Sequence, residues 1–163
     1  MRKKYIFLYV ILLCLLIYPE IIAQSGKVPP FRIVQSSGKA FKAENLPKGK
    51  PIILIYFSPD CEECQQLTKE LLARINEFRN VSVAMITYQS VENVSIYVEK
   101  NNLKNYSNFF VGTEGNYLFV KNYYDIEHFP FVTLYSKNGD LIKKYKNTEL
   151  NVNALAERLK VLL

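Results

Sequence analysis

The chain has 163 residues, of which 49% are hydrophobic and 22% charged, with only 6 Gly and 7 Pro. This composition excludes a disordered or collagen-like protein, and the length fits one packed domain. The formal net charge of +6 raises the question of a nucleic-acid or membrane-surface partner, so its distribution along the chain decides what it means.

The first 23 residues have the layout of an export signal. Three basic residues at positions 2–4 precede an apolar run of 14 residues, 5–18, that carries no charge. That run is shorter than the roughly 20 residues of a membrane-spanning helix. We therefore expect a signal peptide at 1–23, cleaved after Ala23, and a short linker at 24–30. An uncleaved membrane anchor is the alternative.

Most of the charge excess belongs to this leader. Without residues 1–23 the chain keeps 18 basic and 14 acidic residues, a net charge of +4. The remaining basic residues are scattered and form no stripe with interleaved aromatic residues, so we expect no nucleic-acid partner. Export also implies an oxidising compartment, in which cysteine pairs form disulfides unless something reduces them.

From residue 31 onward the sequence predicts alternating strands and helices. Two short apolar segments flank a Ser-Ser-Gly-Lys turn at 36–39 and predict a hairpin. The run 52–57 is continuously apolar and rich in β-branched residues, which predicts a central strand covered on both faces. The elements expected after it are, in chain order, an amphipathic helix over 61–78, a strand at 81–87, a helix at 91–100, a weaker helix at 116–124, two strands at 131–135 and 141–145 joined by an Asn-Gly turn, and a final helix from about 151. This order predicts an α/β domain over 31–163, with a mixed central sheet flanked by helices and an additional N-terminal β-hairpin.

Cys61 and Cys64 are the most specific chemical feature of the sequence. They are separated by two glutamates and lie where the predicted central strand ends and a helix begins. At a helix N-terminus, unpaired N–H groups and the positive end of the helix dipole stabilise a thiolate, which makes the first cysteine a nucleophile. We expect Cys61 to attack a disulfide and Cys64 to resolve the mixed disulfide. Ser58 and Asp60 are expected to cap the helix.

The cysteine pair allows three other interpretations. A purely structural disulfide would close a very short loop and stabilise the chain little. A zinc site would need two further ligands, whereas the mature chain offers no third cysteine and only His128 as an imidazole. A peroxidase would agree with Ser58, three residues before Cys61, but not with Leu54, where peroxidase motifs carry proline. No metal ligand is therefore assigned.

The strand, the segment Ser-Pro-Asp-Cys-Glu-Glu-Cys at 58–64 and the helix together resemble the thioredoxin-fold thiol-disulfide oxidoreductases. The exported setting with an N-terminal hairpin resembles the TlpA/ResA-like, redoxin-domain proteins of bacterial envelopes. A second matching element is His-Phe-Pro at 128–130, just before a predicted strand. In this family the corresponding proline is cis and faces the cysteine pair, so the resemblance implies a cis Pro130 that binds substrate together with Phe129.

The resemblance also implies how such a protein would work. It implies a redox-active disulfide between Cys61 and Cys64 with no other cofactor, and protein dithiols or disulfides as substrates. It further implies a membrane thiol reductant as electron donor and a monomer in the bacterial periplasm or at the outer face of the cytoplasmic membrane.

Departures from the family bear on proton transfer and on redox direction. Asp60 replaces the tryptophan that usually precedes the first cysteine, and Ile55 stands where thioredoxins carry a buried acid. Glu62, Glu63 and His128 are the candidates for proton transfer in the absence of that buried acid. Negative charge beside the attacking sulfur disfavours its thiolate, which makes the reduction potential more negative. We therefore expect a reductant.

A second class of function stays open at this point. The chain could be a non-catalytic binding module, in which the cysteine pair is a permanent structural disulfide and an aromatic groove binds peptide. The aromatic residues that would form such a groove are concentrated ahead of the second hairpin, at Tyr117, Phe119, Tyr123, Tyr124 and Phe129.

Overall fold

The computed structural model describes residues 26–145 and 150–163. The expected signal peptide at 1–23 and the first two residues of the expected linker lie outside the described residues. The strands are β1 (Arg32–Gln35), β2 (Ala40–Lys42), β3 (Ile52–Tyr56), β4 (Ser82–Thr87), β5 (Phe109–Thr113), β6 (Phe131–Tyr135) and β7 (Leu141–Tyr145). The helices are α1 (Glu62–Ala73), α2 (Ile75–Phe78), α3 (Val91–Lys100), α4 (Phe119–Tyr124) and α5 (Val152–Lys160), with short 3-10 turns at Ala43–Asn45, Leu103–Asn105 and Gly115–Tyr117.

The strands form one mixed sheet in the order β2-β1-β5-β4-β3-β6-β7. Strand β3 pairs in parallel with β4, and β4 in parallel with β5. The other neighbouring strands are antiparallel. These pairs are β1 with β2, β1 with β5, β3 with β6, and β6 with β7. The predicted α/β architecture with a mixed sheet and an N-terminal hairpin is confirmed.

The core lies on both faces of the sheet, as the apolar run of β3 predicts. Successive strand residues point to opposite faces, so Ile53 and Ile55 join one buried cluster while Leu54 and Tyr56 join the other. Helices α1, α3 and α5 contribute to the first cluster, and the chain around Phe31 and α4 contributes to the second. Each fully buried large apolar side chain stabilises the fold by about 1.5–3 kcal/mol relative to its exposure.

One edge of the sheet gathers the segments that matter for function. The parallel strands β3, β4 and β5 all end at this edge, and the antiparallel β6 begins there. The loops that follow these strands, the start of α1 and the residues before β6 therefore lie close together. We call this the carboxyl edge of the sheet.

Strand β5 was missed by the sequence analysis, although it lies between β1 and β4 in the middle of the sheet. Only three apolar residues, 109–111, lead into Gly112 and Thr113, and polar residues precede them. A run this short gives no clear period. Gly112 is required by packing, because a Cβ there would lie 2.7 Å from the carbonyl oxygen of Val34.

The prediction of one continuous helix over 61–78 is wrong, because this segment forms two helices. The chain leaves helical geometry at Arg74, whose φ is −115° and ψ 27°, so α1 and α2 are separate helices. The Arg74 side chain forms an ion pair with Glu77 of α2 at 2.6 Å.

The N-terminal end of the described chain lies against the β6-β7 hairpin. Gly26 O accepts a hydrogen bond from the Leu141 N–H, and the Val28 N–H donates to Gly139 O at 3.0 Å. This part of the expected linker is thus attached to the domain, at the end of the sheet opposite the carboxyl edge. Over residues 26–145 and 150–163, no helix has the length and apolar character needed to cross a bilayer.

Candidate active site

The cysteine pair occupies the turn between β3 and α1. The Cys61 N–H donates to the Ser58 carbonyl at 3.1 Å, and Cys61 is the N-cap residue of α1. Its Sγ accepts a hydrogen bond from the Cys64 backbone N–H at 3.2 Å. The two sulfurs are joined in a disulfide, with the Cα atoms 5.2 Å apart. The first cysteine therefore accepts a hydrogen bond from a backbone N–H of the helix start, where a thiolate would be stabilised.

Ser58 and Asp60 do not cap α1, and that prediction was wrong because Cys61 itself fills the N-cap position. Their side chains accept hydrogen bonds from the Gln89 amide, at 3.4 Å to Ser58 Oγ and 3.2 Å to Asp60 Oδ2. Gln89 Oε1 accepts from Asn93 Nδ2 at 2.8 Å. Gln89, which the sequence analysis did not single out, thus ties the cysteine turn to the start of α3.

The two cysteines differ in accessibility. Cys64 is 1% exposed and belongs to the core cluster beneath α1, whereas Cys61 is only half-buried. A disulfide or thiol on another molecule can therefore approach Cys61 but not Cys64. This difference matches the expected division into an attacking and a resolving cysteine.

A buried hydroxyl pair supports the resolving cysteine. Thr68 Oγ1 and Tyr97 Oη both donate to the Cys64 carbonyl, at 3.1 and 3.3 Å, and lie 2.7 Å from each other. The Tyr97 ring packs on Phe57, with centroids 4.7 Å apart. Burial raises the pKa of Tyr97, so its hydroxyl stays protonated and acts as a donor at neutral pH.

The two glutamates of the motif are not equivalent. Both are exposed, but Glu63 Oε2 lies 3.5 Å from Cys61 Sγ. Both glutamates line an adjacent groove, and no contact of Glu62 with Cys61 Sγ is seen among the described residues. In the dithiol form, the Glu63 carboxylate would accept a hydrogen bond from the Cys61 thiol and repel its thiolate.

Pro130 lies across a groove from the first turn of α1. The Phe129–Pro130 peptide bond is cis, as predicted. Pro130 lines a groove of about 640 Å³ together with both motif glutamates and the start of α5. Phe129 is half-buried and contacts both core clusters, with its ring 5.8 Å from that of Tyr56.

His128 lies two residues before Pro130 and is exposed. It is not among the residues that line the groove beside the cysteine pair. The structure therefore brings both glutamates of the cysteine motif and Pro130 together around one groove, whereas the two cysteines and His128 lie outside its lining.

Glu114 is a buried acid that the sequence analysis missed. It is 5% exposed and accepts hydrogen bonds from Tyr56 Oη and the Val120 N–H, each at 2.7 Å, and from the Lys121 N–H at 3.3 Å. Burial and the bond to Glu114 raise the pKa of Tyr56. Because Glu114 directly follows the unpredicted β5, no pattern in the sequence pointed to its burial.

The arrangement supports thiol chemistry. In the described part of the chain, no cluster of three or more His, Cys, Asp or Glu side chains is arranged to hold a metal ion. An accessible sulfur at a helix N-terminus, a buried partner sulfur bonded to it and a cis proline across the groove are the elements of a dithiol-disulfide centre.

A family model described as a thioredoxin-like domain matches residues 39–160. The match includes both cysteines and Pro130. The chain belongs to the thioredoxin-like family. Members of this kind use a cysteine pair as their redox centre, which is the role predicted for Cys61 and Cys64. No curated protein sequence matches this chain significantly.

Solved structures with the same thioredoxin-like fold cover most of the chain. A secreted Mycobacterium tuberculosis disulfide oxidoreductase homologous to E. coli DsbE is 21% identical, with a TM-score of 0.66 over 82% of this chain and 96% of that one. A thiol-disulfide oxidoreductase from Bacteroides fragilis is 18% identical, with a TM-score of 0.68 over 84% and 99%. The thioredoxin domain of a Bacteroides vulgatus thiol-disulfide oxidoreductase is 20% identical, with a TM-score of 0.68 over 84% and 96%. At these identities the likeness establishes the fold.

Proposed function

We propose that this protein is a thiol-disulfide oxidoreductase that reduces disulfides in other proteins through Cys61 and Cys64. One observation carries the proposal: a disulfide joins a half-buried sulfur at the N-cap of α1 to a sulfur that is 1% exposed. Because of this difference in exposure, Cys61 can contact a substrate while Cys64 stays buried beneath it. The family membership and the fold support the same chemistry.

The reaction follows from the two cysteines. In the dithiol form, the Cys61 thiolate attacks one sulfur of the substrate disulfide, forms a mixed disulfide and releases the other substrate sulfur as a thiolate. The Cys64 thiolate then attacks Cys61 Sγ, which forms the Cys61–Cys64 disulfide and releases the second substrate sulfur. Two electrons pass to the substrate, and the two protons lost by the cysteines end on the two product thiols.

Phe129 and Pro130 are proposed to align the substrate. Pro130 lies across the groove from the first turn of α1, and Phe129, just before β6, lies at the carboxyl edge of the sheet. A substrate backbone resting on this loop would present its sulfur to Cys61. Glu63 is the proposed proton-transfer group, since its carboxylate is the nearest acid to Cys61 Sγ among the described contacts. Glu62 and His128 remain weaker candidates.

The setting of the reaction is proposed from the sequence. An N-terminal export signal would place the domain outside the cytosol, in the bacterial periplasm or at the outer face of the cytoplasmic membrane. A thiol reductant of the membrane would then return the oxidised pair to the dithiol form. A monomer suffices, because both cysteines and the cis proline come from one chain.

The proposal is tested by insulin reduction with dithiothreitol as the electron source. The wild-type chain is expected to accelerate precipitation of the reduced insulin chains, and Cys61→Ser is expected to abolish that acceleration. Cys64→Ser is expected to accumulate a mixed disulfide with insulin, because the resolving thiol is missing. A wild-type pair that resists dithiothreitol and gives no turnover would contradict the proposal and favour a binding module with a structural disulfide. Peroxide consumption without insulin reduction would favour a peroxidase.

A further inference from the structure

The carboxyl edge of the sheet carries a second cavity beside the cysteine turn. It has a volume of about 570 Å³ and lies between the ends of β4 and β5 and the start of β1. Its wall includes the apolar side chains of Val34 and Val91 and the rings of Tyr88 and Tyr117. The reaction proposed above makes no use of this cavity.

Two of the aromatic rings that line this cavity are exposed to solvent. Tyr88 is 38% exposed, and Tyr117, at 84%, is the most exposed large hydrophobic side chain in the part of the chain that the structure describes. Exposed aromatic side chains around a concave surface are typical of binding sites, because such rings bury a large area at a small entropic cost. We call this surface the Tyr88 cavity.

The Tyr88 cavity is continuous with the reaction site. The Tyr88 ring packs on Phe129, the residue before Pro130, with centroids 5.9 Å apart. Gln89 also lines the cavity, and its amide donates to Ser58 and Asp60 in the cysteine turn. A polypeptide that crosses Pro130 would therefore reach the cavity by passing over the Phe129 and Tyr88 rings.

Two basic side chains lie at or near the cavity, and the exposed Asp60 carboxylate on its cysteine-turn side is bonded to the Gln89 amide at 3.2 Å. Arg32 lies in its wall and is exposed, and the Lys121 ammonium lies 5.9 Å from the centroid of the Tyr88 ring. Glu114 also borders the cavity, but its carboxylate is already engaged by Tyr56 Oη and by backbone N–H groups. An acidic segment would complement this rim better than a basic one.

We propose that the Tyr88 cavity is a substrate subsite that takes a large apolar or aromatic side chain, flanked by an acidic residue, from the polypeptide whose sulfur reacts at Cys61. The inference rests on the proposed function and adds the substrate class. The subsite acts on recognition alone, and the bonds formed and broken at the cysteine pair are those already described.

The test uses glutathionylated peptides and the full chain in its dithiol form. Each peptide carries one cysteine joined to glutathione, and each reaction transfers two electrons and yields peptide thiol, glutathione and the oxidised pair. One series places Phe-Asp at two to five residues on either side of the cysteine, and a matched series carries Ser-Asn at the same positions. Stopped-flow measurement gives the second-order rate constant for each peptide.

For at least one placement, the Phe-Asp peptide is expected to react about tenfold faster than its Ser-Asn match. In Tyr117→Ser and Tyr88→Ser this ratio is expected to fall below about threefold, because the aromatic wall is lost. Arg32→Gln is expected to lower this ratio, because the acidic residue of the peptide loses a complementary charge, and added salt should lower it in the same way. Ile96→Ser is the matched control, because Ile96 is 58% exposed on α3 and lies outside the cavity lining.

Three results would overturn the inference. Equal rates for all matched peptides, or a ratio that survives in both tyrosine variants, would show that the cavity selects nothing while the proposed function stands. Failure of the reduced wild-type chain to react with any peptide and with oxidised glutathione would overturn the proposed function and this inference with it. Tyr117 is too exposed for its replacement to unfold the domain, so its variant keeps the test decisive.

Discussion

At the scale of single residues, two groups act in opposite directions on the Cys61 sulfur. The Cys64 N–H at 3.2 Å and the helix start stabilise a thiolate, whereas the Glu63 carboxylate at 3.5 Å repels one. The carboxylate is exposed, so solvent screens part of its effect. This balance would keep the Cys61 thiol nucleophilic without strongly stabilising the dithiol form, as the proposed role of a reductant requires.

Glu63→Gln is expected to shift this balance toward the thiolate. Removing one negative charge 3.5 Å from Cys61 Sγ should raise the rate of alkylation by iodoacetamide at pH 7 by about threefold and make the pair more oxidising. Glu62→Gln is the matched control, because no contact of Glu62 with that sulfur is seen in the described structure. Equal effects of the two substitutions would show that Glu63 acts only through the general field of the helix start.

At the scale of elements, the site depends on the contact between α1 and α3. Tyr97 of α3 and Thr68 of α1 donate to the same carbonyl, that of Cys64, inside the core. The link replaces solvent at a buried acceptor and fixes the first turn of α1 relative to the sheet. Gln89, just before α3, donates to Ser58 and Asp60 on the other side of the cysteine motif. Residues of α3 and of the segment before it therefore hydrogen-bond to both ends of that motif.

Tyr97→Phe is expected to lower the free energy of unfolding by about 1–2 kcal/mol, because it removes a buried hydroxyl from a three-membered network. Urea unfolding followed by circular dichroism measures the change. Tyr117→Phe is the control and should leave the midpoint unchanged, since its ring is 84% exposed. A Tyr97→Phe chain as stable as wild type would contradict a structural role for this network.

The elements that the sequence predicted are those with a long or clean pattern. The run 52–57, the helical spacing after Cys61 and the Asn-Gly turn each specify local structure strongly. Strand β5 was not predicted, because its three apolar residues are too few to show the alternation typical of a strand. Its place in the sheet depends on pairing with β1 and β4, which are distant in sequence. The burial of Glu114 was missed for the same reason. A carboxylate is buried only where hydrogen-bond donors from other parts of the fold surround it, and the sequence alone does not reveal those donors.

At the scale of the whole molecule, the fold explains why distant segments form one site. Parallel strands end at a common edge, and the antiparallel β6 begins there, so the cysteine turn, Gln89, Glu114 and the cis proline meet although they are far apart in sequence. The cysteine pair and Pro130 were predictable from local motifs and resemblance. The bracing residues and the Tyr88 cavity were not, because they depend on the packing of several strand ends.

Two buried tyrosines and a half-buried one, on both faces of the sheet, predict sensitivity to alkaline pH. Burial is the main cause that raises the pKa of Tyr56, Tyr97 and Tyr124, whereas in the unfolded chain a tyrosine ionises near pH 10. The unfolded chain therefore releases protons first as the pH rises. The stabilisation is fully present below about pH 10 and is lost above it, by up to roughly 1 kcal/mol per pH unit for each residue.

Urea midpoints measured from pH 8 to 11.5 check this expectation. The midpoint should stay level up to about pH 10 and then fall, and Tyr97→Phe should make the fall less steep. A midpoint that stays level to pH 11.5 would contradict it.

The central claim, a reducing dithiol centre at Cys61 and Cys64, is tested most directly by the reduction potential of the pair. The full chain is equilibrated with mixtures of reduced and oxidised glutathione, and its thiols are counted after acid quenching and alkylation. We predict a potential near that of thioredoxin, about −270 mV, because Glu63 disfavours the thiolate while the pair stays accessible through Cys61. A potential near −120 mV would identify an oxidant, and a pair that stays oxidised well below about −300 mV would identify a structural disulfide; either result would contradict the account.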